Sequence, residues 1–176
     1  MNNQARGIDH VGLTVSNIEE ADRFLSEGLG AQFIFELLSA RDQPLQGPEV
    51  ERVVCLPAGS RIDVIRMYKI GTGPGIELFK YTADEQRPPA RGCDIGWQHV
   101  ALYVDDIDAA VERAVKAGAE RLMPPWSLMK GESGDGNRFC FVKAPFGALI
   151  EFITAPSPQA YESTAALRRW KPPTAG

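Results

Sequence analysis

With 176 residues, 44% of them hydrophobic and 24% charged, the chain has ordinary globular composition and suits one domain or two small units sharing a core. A net charge of -4 and a pI near 5.3 leave no basic surface to track phosphates, which excludes nucleic acid as the expected partner. No apolar run approaches the roughly 18 residues that a membrane helix needs, and residues 1–7 are polar, unlike a signal peptide, so a cytoplasmic protein with no membrane partner is expected.

In chain order, residues 8–15 alternate. Val11, Leu13 and Val15 fall on one face and His10, Gly12 and Thr14 on the other, as in a strand packed on one side. Ser16 or Asn17 then caps a helix carrying Ile18, Ala21, Phe24 and Leu25 at 3-4 spacing. Gly28 or Gly30 suits its C-cap. Strands are expected over 32–38, 61–68 and 75–81, with a short helix over 48–56 opened by Pro48 and the acidic Glu49 and Glu51. The turn Gly71-Thr72-Gly73-Pro74-Gly75 separates the last two strands.

Residues 83–96, with Arg87-Pro88-Pro89, read as a linker between a first module (7–82) and a second (97–154). The second module repeats the first. His-Val-x-Leu-x-Val-x-[Asn/Asp]-Ile occurs at residues 10–18 and again at 99–107, offset by 89 residues. Here Asp105 or Asp106 is the cap, Ile107, Ala110, Val111 and Val115 form the apolar helix face, and Gly118 ends the helix. Strands follow at 120–123, 138–143 and 147–154, the last after the turn Ala144-Pro145-Phe146-Gly147. Residues 126–138, rich in glycine, read as a flexible loop near the mouth of a site, able to move as a lid. Residues 155–176 read as a loose tail in which 161–170 is a candidate docking helix. Cys55, Cys93 and Cys140 are odd in number and widely spaced, which suggests neither disulfides nor a thiolate zinc site. Cys55 and Cys140 read as small core residues.

His10 and His99 are the only histidines, and they occupy the same slot of the repeat. Glu77 and Glu151 each stand mid-strand among apolar residues, on the last strand of each module. A buried, unpaired carboxylate is costly, and a cation is the simplest compensation. Two explanations stand side by side: satisfied strand histidines with solvated glutamates, or an N₂O₂ ligand set for one divalent ion (Zn, Ni, Co, Mn or Fe). Strand parity puts Phe79 and Tyr81 on the face of Glu77, and Trp97, Ala101 and Tyr103 on that of His99. This predicts a pocket suited to a flat or hydrophobic small molecule. Lys130 and Arg138 are candidates for an anionic substrate group.

The segments 7–15, 75–81, 96–106 and 144–152 together resemble the vicinal oxygen chelate superfamily, which includes glyoxalase I, methylmalonyl-CoA epimerase, extradiol dioxygenases and fosfomycin thiol transferases. The likeness runs over residues 7–154. It implies an α+β fold, two paired βαβββ modules forming an eight-stranded cup around a metal, and a homodimer. The family ligand pattern falls on His10, Glu77, His99 and Glu151. A His/Glu/His/Glu set resembles the glyoxalase I and epimerase branch, implying a metal-dependent isomerase or lyase that removes a proton next to a carbonyl and stabilises an enediolate. Glu151 is then the first choice of base and Glu77 the second, with an aromatic compound or a thioester as substrate. An iron-dependent ring-cleaving dioxygenase and a drug-sequestering protein without chemistry are the alternatives within the family. One departure from the family pattern is Ala144-Pro145-Phe146-Gly147, where Asp-Pro-x-Gly is common.

Overall fold

The computed structural model describes residues 5–173. They form two compact units. One holds the chain up to Ser26 together with Gly30–Pro88, the other Glu27–Leu29 and the chain from Pro89 on. The fold is α+β, with one mixed five-stranded sheet in each unit.

In the first unit the elements are β1 (His10–Thr14), α1 (Ile18–Arg23), β2 (Gln32–Leu38), β3 (Leu45–Gln46), α2 (Pro48–Val53), β4 (Arg61–Lys69) and β5 (Gly75–Thr82). The sheet runs β1-β5-β4-β2, with β3 also paired to β4. The first strand lies parallel to the last, and the other pairings are antiparallel. Asn17 is the residue that caps α1, its side chain accepting from the backbone of Glu19 and Glu20. The helix continues as one wide π turn over Phe24–Gly28. It is Gly30, at φ +71°, that takes the left-handed conformation after it.

Helix α1 packs on β5. Its attachment is polar as well as apolar. Tyr68, fully buried, donates its hydroxyl to Asp22 at 2.7 Å. Arg66 stands between Glu19 and Asp22 of the helix and Glu36 of β2; burial works against its charge, but the Glu36 hydrogen bond and the Glu19 and Glu36 charges raise its guanidinium above the ordinary arginine range. The opposite sheet face carries Glu77, and at its far end Leu38, Ile62 and Ile65 form a cluster with Val50, Leu56, Phe79 and Tyr81. The exposed α2 is shorter than the sequence implies, ending at Val53. Cys55 follows it, exposed and at φ +55°. The expectation of a core cysteine fails there because the chain turns outward in a left-handed step after the helix, whereas Cys140 is fully buried.

The second unit repeats this plan: β6 (His99–Tyr103), α3 (Ile107–Lys116), β7 (Glu120–Arg121), β8 (Trp126–Ser127), β9 (Arg138–Lys143) and β10 (Leu149–Thr154). The order is β6-β10-β9-β7, with β8 on β9, and β6 again lies parallel to the closing strand. Asp106 caps α3 through the Ala109 N–H. Ile107, Ala110, Val111 and Ala114 turn inward, and the helix packs on β9, β10 and β7. Phe152, Val142 and Cys140 fill the core beneath. Each fully buried side chain of that size adds roughly 1.5–3 kcal/mol of transfer free energy.

Two expectations need correction. Residues 126–138 are not a free loop. They contain β8 and a 3₁₀ turn over Lys130–Glu132, and the segment is pinned by Asn137, 1% exposed, whose side chain donates to the Glu132 carbonyl and accepts from the Ser157 N–H. The tail's described part, 155–173, holds no helix over 161–170, and 174–176 lie outside the described residues. One 3₁₀ turn, Ala160–Ser163, closed by a capping box between Gln159 and Glu162, gives way to irregular chain with a bend at 166–167. Helix stops there because the Arg168 guanidinium takes the carbonyls of Glu162 and Ala165, which continued helix would offer to backbone N–H groups. No helix among the described residues is long and apolar enough to cross a membrane.

Candidate metal and substrate site

In the first unit, His10 opens β1 opposite Gly75, and Gly12 lies opposite Glu77. The diagonal neighbours across the parallel pair are therefore the imidazole and the carboxylate, and His10 Nε2 lies 3.1 Å from Glu77 Oε2. The other ring nitrogen is engaged by the preceding residue, Nδ1 lying 2.8 Å from Asp9 Oδ2. This Asp9 hydrogen bond is the main reason that His10 titrates above its ordinary value. Burial works against the shift, and the charges of Glu77 and Asp9 add to it.

The second unit reproduces the arrangement. His99 lies opposite Leu149, and Ala101 opposite Glu151. His99 Nε2 is 3.4 Å from Glu151 Oε2, and His99 Nδ1 is 2.7 Å from Gln98 Oε1. The His99 ring stands edge-on to Phe141 at 5.4 Å. Burial pushes the Glu151 carboxyl above its usual range. The His99 and Arg169 charges pull the other way and Glu132 adds to the rise.

Each pair has the chemistry a borderline divalent cation requires. An imidazole whose Nδ1–H is held by an acceptor keeps the Nε2 lone pair available, and a carboxylate lies beside that lone pair. The residue facing each glutamate across the sheet, Gly12 or Ala101, is too small to obstruct it. The donor set therefore fits a metal. The structure brings the four candidates together as two pairs, one per unit, and among the described residues no three His, Cys, Asp or Glu side chains form one metal-binding group.

The other candidates are distributed as follows. Phe79 and Tyr81 stack on each other at 5.4 Å and 24° within the Leu38–Ile62–Ile65 cluster. Burial, and then the Glu77 charge, raise the Tyr81 hydroxyl above its normal range. Ala101 and Tyr103 line a cavity of about 230 Å³ in the second unit. Trp97 lies away from it and is 97% exposed. Arg138 is paired with Asp108 at 2.7 Å, and Lys130 sits on an exposed left-handed step at φ +53°. Sequence reasoning missed the cavity's other wall: Gln159, Arg169, Trp170 and Lys171 of the tail. The signal available was weak, a run of basic and aromatic residues inside a proline-rich segment.

The model of the Glyoxalase/Bleomycin resistance protein/Dioxygenase superfamily matches residues 9–141. The chain belongs to this superfamily. Among curated proteins it is similar to the 2-epi-5-epi-valiolone epimerase of Actinomyces sp, at 29% identity over 170 residues, 96% of this chain and 90% of that one. Its fold is similar to a glyoxalase family protein of Bacillus cereus, with a TM-score of 0.66 and 23% identity, over 86% of this chain and 95% of that one. It is also similar to the fosfomycin resistance protein FosX of Listeria monocytogenes, solved with Mn(II) and 1S,2S-dihydroxypropylphosphonic acid, with a TM-score of 0.58 and 15% identity, over 92% of this chain and all of that one. That FosX structure holds Mn(II) and a small organic acid, and the similar curated protein is an epimerase.

Proposed function

We propose that the chain is a metal-dependent isomerase that epimerises a ketone, inverting a stereocentre next to the carbonyl, with His10, Glu77, His99 and Glu151 as its metal-binding residues. The observation that carries this reading is the duplicated pair. The same imidazole nitrogen faces a carboxylate at 3.1 Å and 3.4 Å in the two units, with the same backward brace on Nδ1. Similarity to the valiolone epimerase supplies the reaction class.

When bound, the ion would act as a Lewis acid toward substrate oxygen, easing the build-up of negative charge there. The protein's own task is to move protons. Glu151 is the base, lying beside His99 at 3.4 Å on the strand whose Ile153 lines the cavity, within reach of a substrate held there. It takes the proton from the carbon next to the carbonyl as that C–H bond breaks, and the electron pair moves onto the carbonyl oxygen. Inversion then needs a proton delivered to the opposite face of that carbon, a role for which Glu77 is the second carboxylate of the set. The test is proton NMR in D₂O with 2-epi-5-epi-valiolone and Mn(II)-loaded protein. The proton next to the carbonyl should wash out, and Glu151→Gln should slow this by about 10²–10⁴-fold. Full-rate exchange in a metal-loaded Glu151→Gln variant removes Glu151 as the base.

A further inference from the structure

The tail is built into the second unit in a way that connection alone does not require. Lys171 reaches back to the Ala155 carbonyl at 3.2 Å, the Arg169 N–H donates to the Tyr161 hydroxyl at 2.8 Å, and the Arg169 guanidinium contacts Glu132. These ties hold the strap against the sheet face bearing Ala101, Tyr103 and Ile153, and the space between is the cavity of about 230 Å³. Gln159 is one of its lining residues. Gln159 is 3% exposed, and its Oε1 is spent on the capping box. Its Nε2 has no hydrogen-bond partner among the described residues. A buried donor left unmade costs about 1–3 kcal/mol, so a ligand that accepts from it recovers that loss.

Resting on the ketone-epimerase reading, the geometry points to residues 155–171 as the substrate-specificity element, with Gln159 Nε2 and the Arg169 guanidinium donating to the oxygens of a single-ring, polyoxygenated ketone laid against Trp170 and Tyr103. The lining selects this class in three ways. Among the described residues it offers donors and ring faces but no carboxylate, so acceptor oxygens are favoured. The charges of Arg169 and Lys171 are answered by Glu132 and Glu162, which favours a neutral ligand over a phosphate. The volume falls below the roughly 300 Å³ at which drug-sized pockets begin, which favours one ring. The subsite adjoins the base, because Ala101, which lines it, stands opposite Glu151 in the sheet.

The test is calorimetric titration of the full chain, with and without Mn(II), against 2-epi-5-epi-valiolone, alongside KM and kcat. Gln159→Glu keeps the cap's acceptor and the side-chain shape but replaces the donor, and Arg169→Met serves should Gln159→Glu melt early. The expected result is a Kd and KM raised about tenfold or more, the effect of losing roughly 1.4 kcal/mol, with kcat nearly unchanged and the thermal midpoint retained. If wild type turns the ketone over and both variants keep its Kd and KM, the subsite assignment falls and the epimerase reading stands. If wild type binds the ketone without turnover and the variants lose binding, the subsite stands and the epimerase reading falls. No binding to wild type overturns both.

Discussion

The brace between Asp9 and His10 can be tested apart from catalysis. Asp9→Ala removes the acceptor 2.8 Å from His10 Nδ1, freeing the ring to rotate and to place its proton on Nε2, the nitrogen that faces Glu77. Partners of this kind change metal affinity by about 10–100-fold. Asp9 is 94% exposed, so water competes for its carboxylate and the lower end, about tenfold, applies. The neutral Gln98 brace at 2.7 Å lacks the charge assistance that roughly doubles a hydrogen bond, so Gln98→Ala should cost less than Asp9→Ala. Asp9→Asn keeps an acceptor and should fall between wild type and Asp9→Ala. Mn(II) titration by electron paramagnetic resonance gives free and bound metal directly, with no substrate present. Equal Mn(II) affinities for wild type and Asp9→Ala would refute the reasoning, and so would a larger loss from Gln98→Ala.

Two further expectations follow. In the chelated protein, burial raises the folded-state pKa of Glu151 above 4.5. Its contribution to stability is therefore fully present below that value and lost as pH rises through the folded pKa. The melting temperature of Glu151→Gln minus that of wild type should thus grow as pH rises from acid to neutral, and a difference that shrinks would contradict the burial argument. Phe152 is 1% exposed, so Phe152→Ala should lower unfolding free energy by about 3–5 kcal/mol, measured by urea denaturation, and a loss under 1 kcal/mol would show that the site collapses around the cavity.

The sequence made the strands and the His and Glu positions readable for one reason. Period-two alternation separates core from site face, so His10 and Glu77 stand out against Val11, Leu13 and Leu78. The repeat then supplies an independent copy in His99 and Glu151. Caps were readable to within a residue because Asn17 and Asp106 each act through their own local backbone. What local pattern could not carry is long-range pairing of irregular chain. Asn137 fastening residues 126–138 to Ser157 is such a tertiary contact, and Arg168 capturing the nearby Glu162 and Ala165 carbonyls is a local one that likewise has no periodicity. Trp97 shows the limit of parity. It shares the face of His99 by count, yet lies before β6 begins and outside the pleat that would aim it.

The parallel pairing of opening and closing strands has a consequence for biosynthesis. As the chain leaves the ribosome, β1 emerges first in its unit, yet its neighbour in the sheet, β5, is the last strand of that unit to be translated. Until then His10 waits without its carboxylate, and the same delay recurs for His99 and β10. Loop closure over nearly a whole module is slow and entropically costly. Each His–Glu pair is thus among the last features of its unit to form, and a nascent chain truncated before β10 carries His99 without Glu151.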